Sequence, residues 1–201
     1  KAGGSGSSNT DGSINTTSTS VSTTAGFSIS TYTGTGSAAT IGHGLGAIPD
    51  WILLKSTSAT AGWRMYHSAL GATKNLILNE TGGALTQTAV FNDTAPTSSV
   101  FTIGNAADIN TSSANYLAYC FAEKKGFSKF GLYYGNNSTW GPFINCGFKP
   151  GWIMIKEYGA SGEGWAIFDS KRNPGNLADN SLQANITQAE EKLSSKSLNI
   201  L

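Results

Sequence analysis

Short apolar runs, each framed by Gly, Ser, Thr or Asn, set the rhythm of this chain. Residues 27–32, Phe-Ser-Ile-Ser-Thr-Tyr, alternate apolar and polar, the pattern of a half-exposed strand. Residues 51–54 and 152–155 are unbroken apolar runs, each preceded by a Pro-x dipeptide, and that length between turn residues suits strands covered on both faces. Further strands are expected at 75–79 and 100–103, and a longer one at 116–123 is apolar on both faces until Glu123. In the second half, 165–168, 181–186 and 198–201 are the candidates. Gly34, Gly36, Gly42, Gly44 and Gly46 punctuate the chain as turns or bulges. Only 187–195 carries a weak helical pattern. Many short strands at intervals of about 8–12 residues point to a β-sandwich or barrel.

The pattern repeats. Gly26-Phe27-Ser28 returns as Gly126-Phe127-Ser128, 100 residues on. Pro49-Asp50-Trp51-Ile52-Leu53-Leu54-Lys55 returns as Pro150-Gly151-Trp152-Ile153-Met154-Ile155-Lys156 at an offset of 101. Gly62-Trp63-Arg64-Met65-Tyr66-His67-Ser68 returns as Gly164-Trp165-Ala166-Ile167-Phe168-Asp169-Ser170 at an offset of 102. Three blocks in one order with single-residue slips imply tandem duplication of a folding unit. The expected organisation is a Gly/Ser/Thr-rich lead-in over 1–25, a first unit over 26–125, and a second over 126–201. Within the lead-in, 13–24 reads equally as flexible linker and as strand, because Thr and Val favour strands. Trp51 and Trp152 read as equivalent core positions; Trp63 and Trp165, at strand starts, are open between core and surface.

Composition narrows the function. Charged residues are 12% of the chain and the formal net charge is +1, far from the dense Lys/Arg stripe of a nucleic-acid surface. No run approaches 18 consecutive apolar residues, so no membrane-spanning helix is expected. The chain starts at Lys1 with neither an initiator Met nor a hydrophobic leader, which reads as an internal cut of a longer polypeptide. Cys120 and Cys146 are too few for a disulfide scaffold and lack CxxC spacing; free buried thiols are favoured over one bridge.

The strings at 26–28, Tyr32-Thr33-Gly34-Thr35-Gly36-Ser37, Gly42-His43-Gly44-Leu45-Gly46 and Pro49-Asp50-Trp51 resemble a domain of unknown function widespread in marine bacteriophages. Tyr66-His67-Ser68-Ala69-Leu70-Gly71, Asn92-Asp93-Thr94-Ala95-Pro96-Thr97 and Ala118-Tyr119-Cys120-Phe121-Ala122-Glu123 add to the likeness. So do Gly126 to Gly131 and Asp169-Ser170-Lys171-Arg172-Asn173-Pro174. The resemblance covers about residues 20–201. It implies a virion protein of the tail-fibre or appendage kind, with no catalytic residues to transfer. It also implies that the second unit normally closes with a strand like 116–123, which this sequence lacks before Leu201, so a fragment, or a strand supplied by a neighbouring subunit, is expected.

Candidate chemistry is sparse. His43, in a Gly-His-Gly turn, and His67, after a strand, have no Cys or second His nearby, so structural hydrogen bonding is the default over metal ligation. Gly34-Thr35-Gly36-Ser37 precedes no helix and reads as a turn, not a phosphate loop. Gly4-Ser5-Gly6-Ser7 has no buried strand before it and fails as a nucleophile elbow. Asp93 and Asp108 lie in loops without the spacing of a calcium loop, and Glu190-Glu191 reads as solvated. The Asn-x-Ser/Thr triplets at 79–81 and 137–139 are chance matches in so Ser/Thr-rich a chain.

Trp140 differs from all of these. It sits in Asn136-Asn137-Ser138-Thr139-Trp140-Gly141, where an indole can stack on a sugar with polar neighbours or fold back onto the domain edge. The resulting expectation is an all-β protein of two tandem β-sandwich units, jelly-roll or lectin-like, related by internal duplication. The expected role is a non-enzymatic bacteriophage virion structural protein at the particle surface, with no cofactor and no metal. Host-surface glycan attachment would use Trp140, Asn136 and Asn137. The expected partners are other virion subunits in a homo-oligomer, with a trimer favoured. A capsid decoration or head-fibre protein is the first alternative. A glycan-degrading depolymerase, the second, needs a carboxylate pair about 5–10 Å apart, and no clear pair is present.

Overall fold

A computed structural model describes residues 3–138, 140–192 and 197–200. The chain is nearly all β, and its sheets are antiparallel. It divides into two compact units, Lys1–Leu76 with Leu85–Tyr133, and Ile77–Ala84 with Tyr134–Leu201.

The first unit is organised by a seven-stranded sheet. Its strands are β1 (Ser18–Ser22), β2 (Phe27–Thr33), β4 (Trp51–Ser56), β5 (Arg64–His67), β6 (Lys74–Ile77), β7 (Leu85–Thr86) and β9 (Asn115–Phe121). They lie in the order β1-β2-β9-β4-β5-β6-β7, so the latest strand of the unit is inserted between β2 and β4. Side chains alternate across the strands. One face therefore collects Ser28, Ser30 and Tyr32 of β2, Ile52 and Leu54 of β4, Tyr66 of β5, and Tyr116, Ala118 and Cys120 of β9, all buried. A ribbon of β3 (Ala39–Gly42) with β8 (Val100–Ile103) and two single-turn helices, α1 (Thr88–Phe91) and α2 (Ala107–Asn110), complete this core with Ile41, Phe101, Ile103, Val90, Phe91 and Ile109. The sequence pattern missed both helices: four residues are too few to show a helical period.

The Ser/Thr-rich lead-in takes the strand alternative. β1 pairs with β2, Ser7 bridges Thr19, and Ile14 bridges Ile41. Two of its hydroxyls, Thr16 and Thr19, are buried and join Ser30 of β2 in a chain, Thr16 Oγ1 to Thr19 Oγ1 at 2.8 Å, Thr19 Oγ1 to Ser30 Oγ at 2.9 Å, and Ser30 Oγ to the Gly42 carbonyl at 3.3 Å. These three hydroxyls meet one another and a backbone carbonyl, which offsets the cost of taking them out of water. Gly26 sits between β1 and β2 at φ +65°, and a Cβ there would lie 2.2 Å from the Ala122 carbonyl oxygen. Both facts require glycine. Cys120 is buried and Cys146 half-buried, and both are free thiols.

The second unit carries β10 (Trp152–Ile155), β11 (Ala166–Asp169), β13 (Asn180–Gln183) and β14 (Glu191–Lys192) in one sheet, in that order, and a ribbon of β12 (Leu177–Ala178) with β15 (Leu198–Asn199). Its core is small: Phe168, Ala178 and Ile200, with Ile153, Ala166 and Leu198 against them. Trp165 is also buried, and its indole N–H donates to the Ile77 carbonyl at 3.3 Å. The helix expected over 187–195 is not formed where the chain is described, since Glu191 and Lys192 pair as β14 with Ser181 and Asn180; 193–195 lie outside the described residues.

The hairpins on the repeated blocks share one register. Trp51 faces His67 and Leu54 faces Arg64 across β4 and β5; Trp152 faces Asp169 and Ile155 faces Ala166 across β10 and β11. The two tryptophans are not the core residues the apolar runs suggested. Trp51, on the face of β4 opposite Ile52 and Leu54, is half-buried, and Trp152, in the other sheet, is 53% exposed.

Candidate functional site

The turn holding Trp140 is built by its own polar side chains. Asn136 Oδ1 accepts the Ser138 N–H at 3.2 Å, and Ser138 Oγ accepts the Trp140 N–H at 3.2 Å. Gly141 N–H closes the turn on the Ser138 carbonyl at 3.2 Å, and Asn137 takes φ +53°, a left-handed conformation that Asn tolerates. Asn136 and Asn137 are exposed, and the Trp140 indole is 89% exposed. Of the two readings of Trp140, the structure gives the solvent-facing one. Phe143, three residues on, is 81% exposed. The arrangement offers a flat apolar surface beside amide donors and acceptors, the elements of aromatic stacking on a sugar ring.

An aromatic cluster lies on the other face of the seven-stranded sheet. Register places Phe27, Phe121, Trp51 and His67 in one row and Ile29, Tyr119, Leu53 and Met65 in the next. Phe27 and Phe121 lie 4.7 Å apart, Trp51 and Phe121 5.0 Å, and Trp63 stacks on Tyr119 at 6.3 Å with Lys55 Nζ 5.9 Å from the Trp63 ring. A recess of about 280 Å³ opens beside Phe27, Phe121, Phe127 and Phe130. This face is apolar and only partly open to water: Phe27, Phe121 and Trp51 are half-buried, whereas Leu53 and Met65 are buried. Sequence reasoning missed the row as a site, although the two-sided apolar pattern of 116–121 was its signal.

The histidines are structural. His43 is fully buried; its Nδ1 accepts the Leu45 N–H at 3.2 Å, which leaves Nε2–H to donate to the Thr97 carbonyl at 3.2 Å. Burial lowers its pKa, so the neutral ring these bonds require is favoured. His67 Nδ1 accepts the Ala69 N–H at 3.2 Å, and burial lowers its pKa too. Asp169, at the matching position, does the same turn-closing work: its Oδ1 accepts the Lys171 N–H at 2.9 Å. The Arg172 guanidinium bonded to it holds the Asp169 carboxyl down at about 2. A shared geometric task explains why Asp can replace His here. Asp108 pairs with Arg64, Asp93 accepts Thr88 Oγ1 at 2.8 Å, and Glu190 accepts Arg172 Nη1 at 3.1 Å. Among the described residues no three His, Cys, Asp or Glu side chains gather in a metal-binding group, and no helix is long and apolar enough to cross a membrane.

Fold and surfaces together define an all-β protein with solvent-facing aromatic side chains. Residues 1–201 match the family described as a domain of unknown function, DUF7483, and the chain belongs to that family. No curated protein and no solved structure matches it.

Proposed function

We propose that this chain is a bacteriophage virion structural protein, a tail-fibre or appendage module that attaches to host-surface glycan through Trp140, Asn136 and Asn137. The observation that carries the reading is the 89% exposure of Trp140 on a turn whose neighbours Asn136 and Asn137 are exposed amides. An indole so exposed gains nothing from folding, whereas stacked on a sugar it loses apolar surface to water. The resemblance of the repeated blocks to phage domains supports the particle address.

In this reading the architecture is two tandem β-sandwich units descended from one, over 26–125 and 126–201. The shared register of the β4–β5 and β10–β11 hairpins supports it. So do the matching positive φ angles of Gly26 (+65°) and Gly126 (+77°). The protein works without catalysis, as a homo-oligomer with a trimer favoured, and the half-buried row of Phe27, Phe121 and Trp51 with the exposed Phe127 of the first unit suits packing against other virion subunits.

The test is a glycan array probed with the wild-type chain, Trp140→Ala, and Asn136→Ala with Asn137→Ala. Selective binding that Trp140→Ala abolishes, with the circular dichroism spectrum unchanged, is expected. Equal binding by the Trp140→Ala chain removes this site.

A further inference from the structure

The matched hairpins differ in what lies beyond them. β4 sits between β5 and β9, whereas among the described residues β10 pairs with β11 alone and ends its sheet. Ladder bonds alternate sides along an antiparallel strand. Ser170 N–H donates to the Gly151 carbonyl at 3.1 Å, which assigns the backbone of Ile153 and Ile155 to β11 and turns that of Trp152 and Met154 toward the open edge. In β4 the equivalent residues, Trp51 and Leu53, pair with Phe121 and Tyr119 of β9. Burial follows the same contrast. Ile52, Leu53 and Leu54 are at most 8% exposed, whereas Ile153, Met154 and Ile155 are only half-buried and Trp152 is 53% exposed. β10 contains no charge and no proline, the devices that keep edge strands from pairing.

We propose that the β10 edge is a strand-acceptor site, and that its occupant is an extended, antiparallel partner segment with the chemistry of β9. That chemistry is seven residues with Tyr, Ala and Cys alternating against Leu, Tyr and Phe. The partner gives main-chain bonds to Trp152 and Met154 and covers the half-buried side chains of β10. The inference rests on the two hairpins and is independent of the glycan reading.

The probe is a synthetic peptide with the sequence of residues 115–123, added to the full chain under reducing conditions. Native-state hydrogen exchange resolves individual amides. Without peptide, the Trp152 and Met154 amides exchange fast, while those of Ile153 and Ile155 are protected. Peptide slows Trp152 and Met154 selectively, and a scrambled peptide does not. Met154→Pro removes only an outward N–H, which an edge strand tolerates. It weakens peptide binding by about tenfold or more, as loss of a main-chain bond and its geometry requires, and leaves Ile153 and Ile155 protected. Unchanged Trp152 and Met154 exchange at saturating peptide overturns the proposal. So does equal protection by the scrambled peptide, or protection that grows with protein concentration alone, which assigns the edge to a second copy of the chain.

Discussion

Asn110 shows how a single side chain fixes the first unit. It is fully buried in α2, where its Oδ1 accepts the Thr35 N–H at 2.8 Å and its Nδ2 donates to the carbonyls of Ser37 and Gly104, each at 2.7 Å. These bonds pin the turn after β2 to the helix behind it. Asn110→Asp keeps the volume and one acceptor but removes both donors, and sets a carboxylate against two carbonyl oxygens. Each orphaned buried carbonyl costs about 1–3 kcal/mol, and a buried unpaired charge raises the total to about 3–5 kcal/mol. The pH dependence has a defined sign. Burial and the carbonyl dipoles raise the new carboxyl's pKa in the folded state above its unfolded value of about 3.9. The unfolded state then binds fewer protons, so the variant's deficit grows as pH rises above about 4. Urea denaturation of wild type and variant at pH 4 and pH 7.5 measures it. A deficit at pH 7.5 below about 1 kcal/mol, or one equal at both pH values, refutes the account of Asn110.

Other outcomes follow from the same contacts. Gly26→Ala meets both a positive φ and the Ala122 carbonyl at 2.2 Å, whereas Gly126→Ala, at φ +77°, meets nothing within 4 Å. The first is expected to cost about 2–4 kcal/mol and the second about 1–2 kcal/mol by thermal denaturation; equal costs would contradict the close approach at Gly26. His43 and His67 have folded pKa values depressed by burial, so their contribution is complete above about pH 6.5 and falls away as pH drops toward those folded values. The urea midpoint at pH 5.5 therefore lies below that at pH 7.5, and a midpoint unchanged or higher at pH 5.5 counts against the neutral-ring assignment. Burial pushes the Cys120 thiol far up, so a thiol reagent titrates Cys146 alone in the native protein and both cysteines after unfolding; two fast thiols in the native state would show that Cys120 is reachable.

Strand positions were legible because the apolar runs are short and cleanly bounded: 100–103 coincides with β8, and the hairpins at 51 and 152 fall on the repeated blocks. What covers a strand's second face was not legible. Trp152 lies in a run as apolar as that of Trp51, yet its exposure depends on what packs beyond β10, which local pattern does not encode. The buried hydroxyl chain of Thr16, Thr19 and Ser30 was hidden for the opposite reason, since a polar run looks solvated until its partners are known. Of the candidate site, the exposed turn of Asn136, Asn137 and Trp140 was readable from one aromatic among Asn and Ser. The aromatic rows joining β2, β9, β4 and β5 were not, because they assemble residues 27, 51 and 121 only after strand order is known.

The central proposal is the particle address, and gold-labelled antibody to the chain, applied to intact virus particles purified from the source of its gene and viewed by electron microscopy, tests it most directly. The account predicts gold at the tail appendages; gold on the capsid shell, or none on the particle, contradicts it.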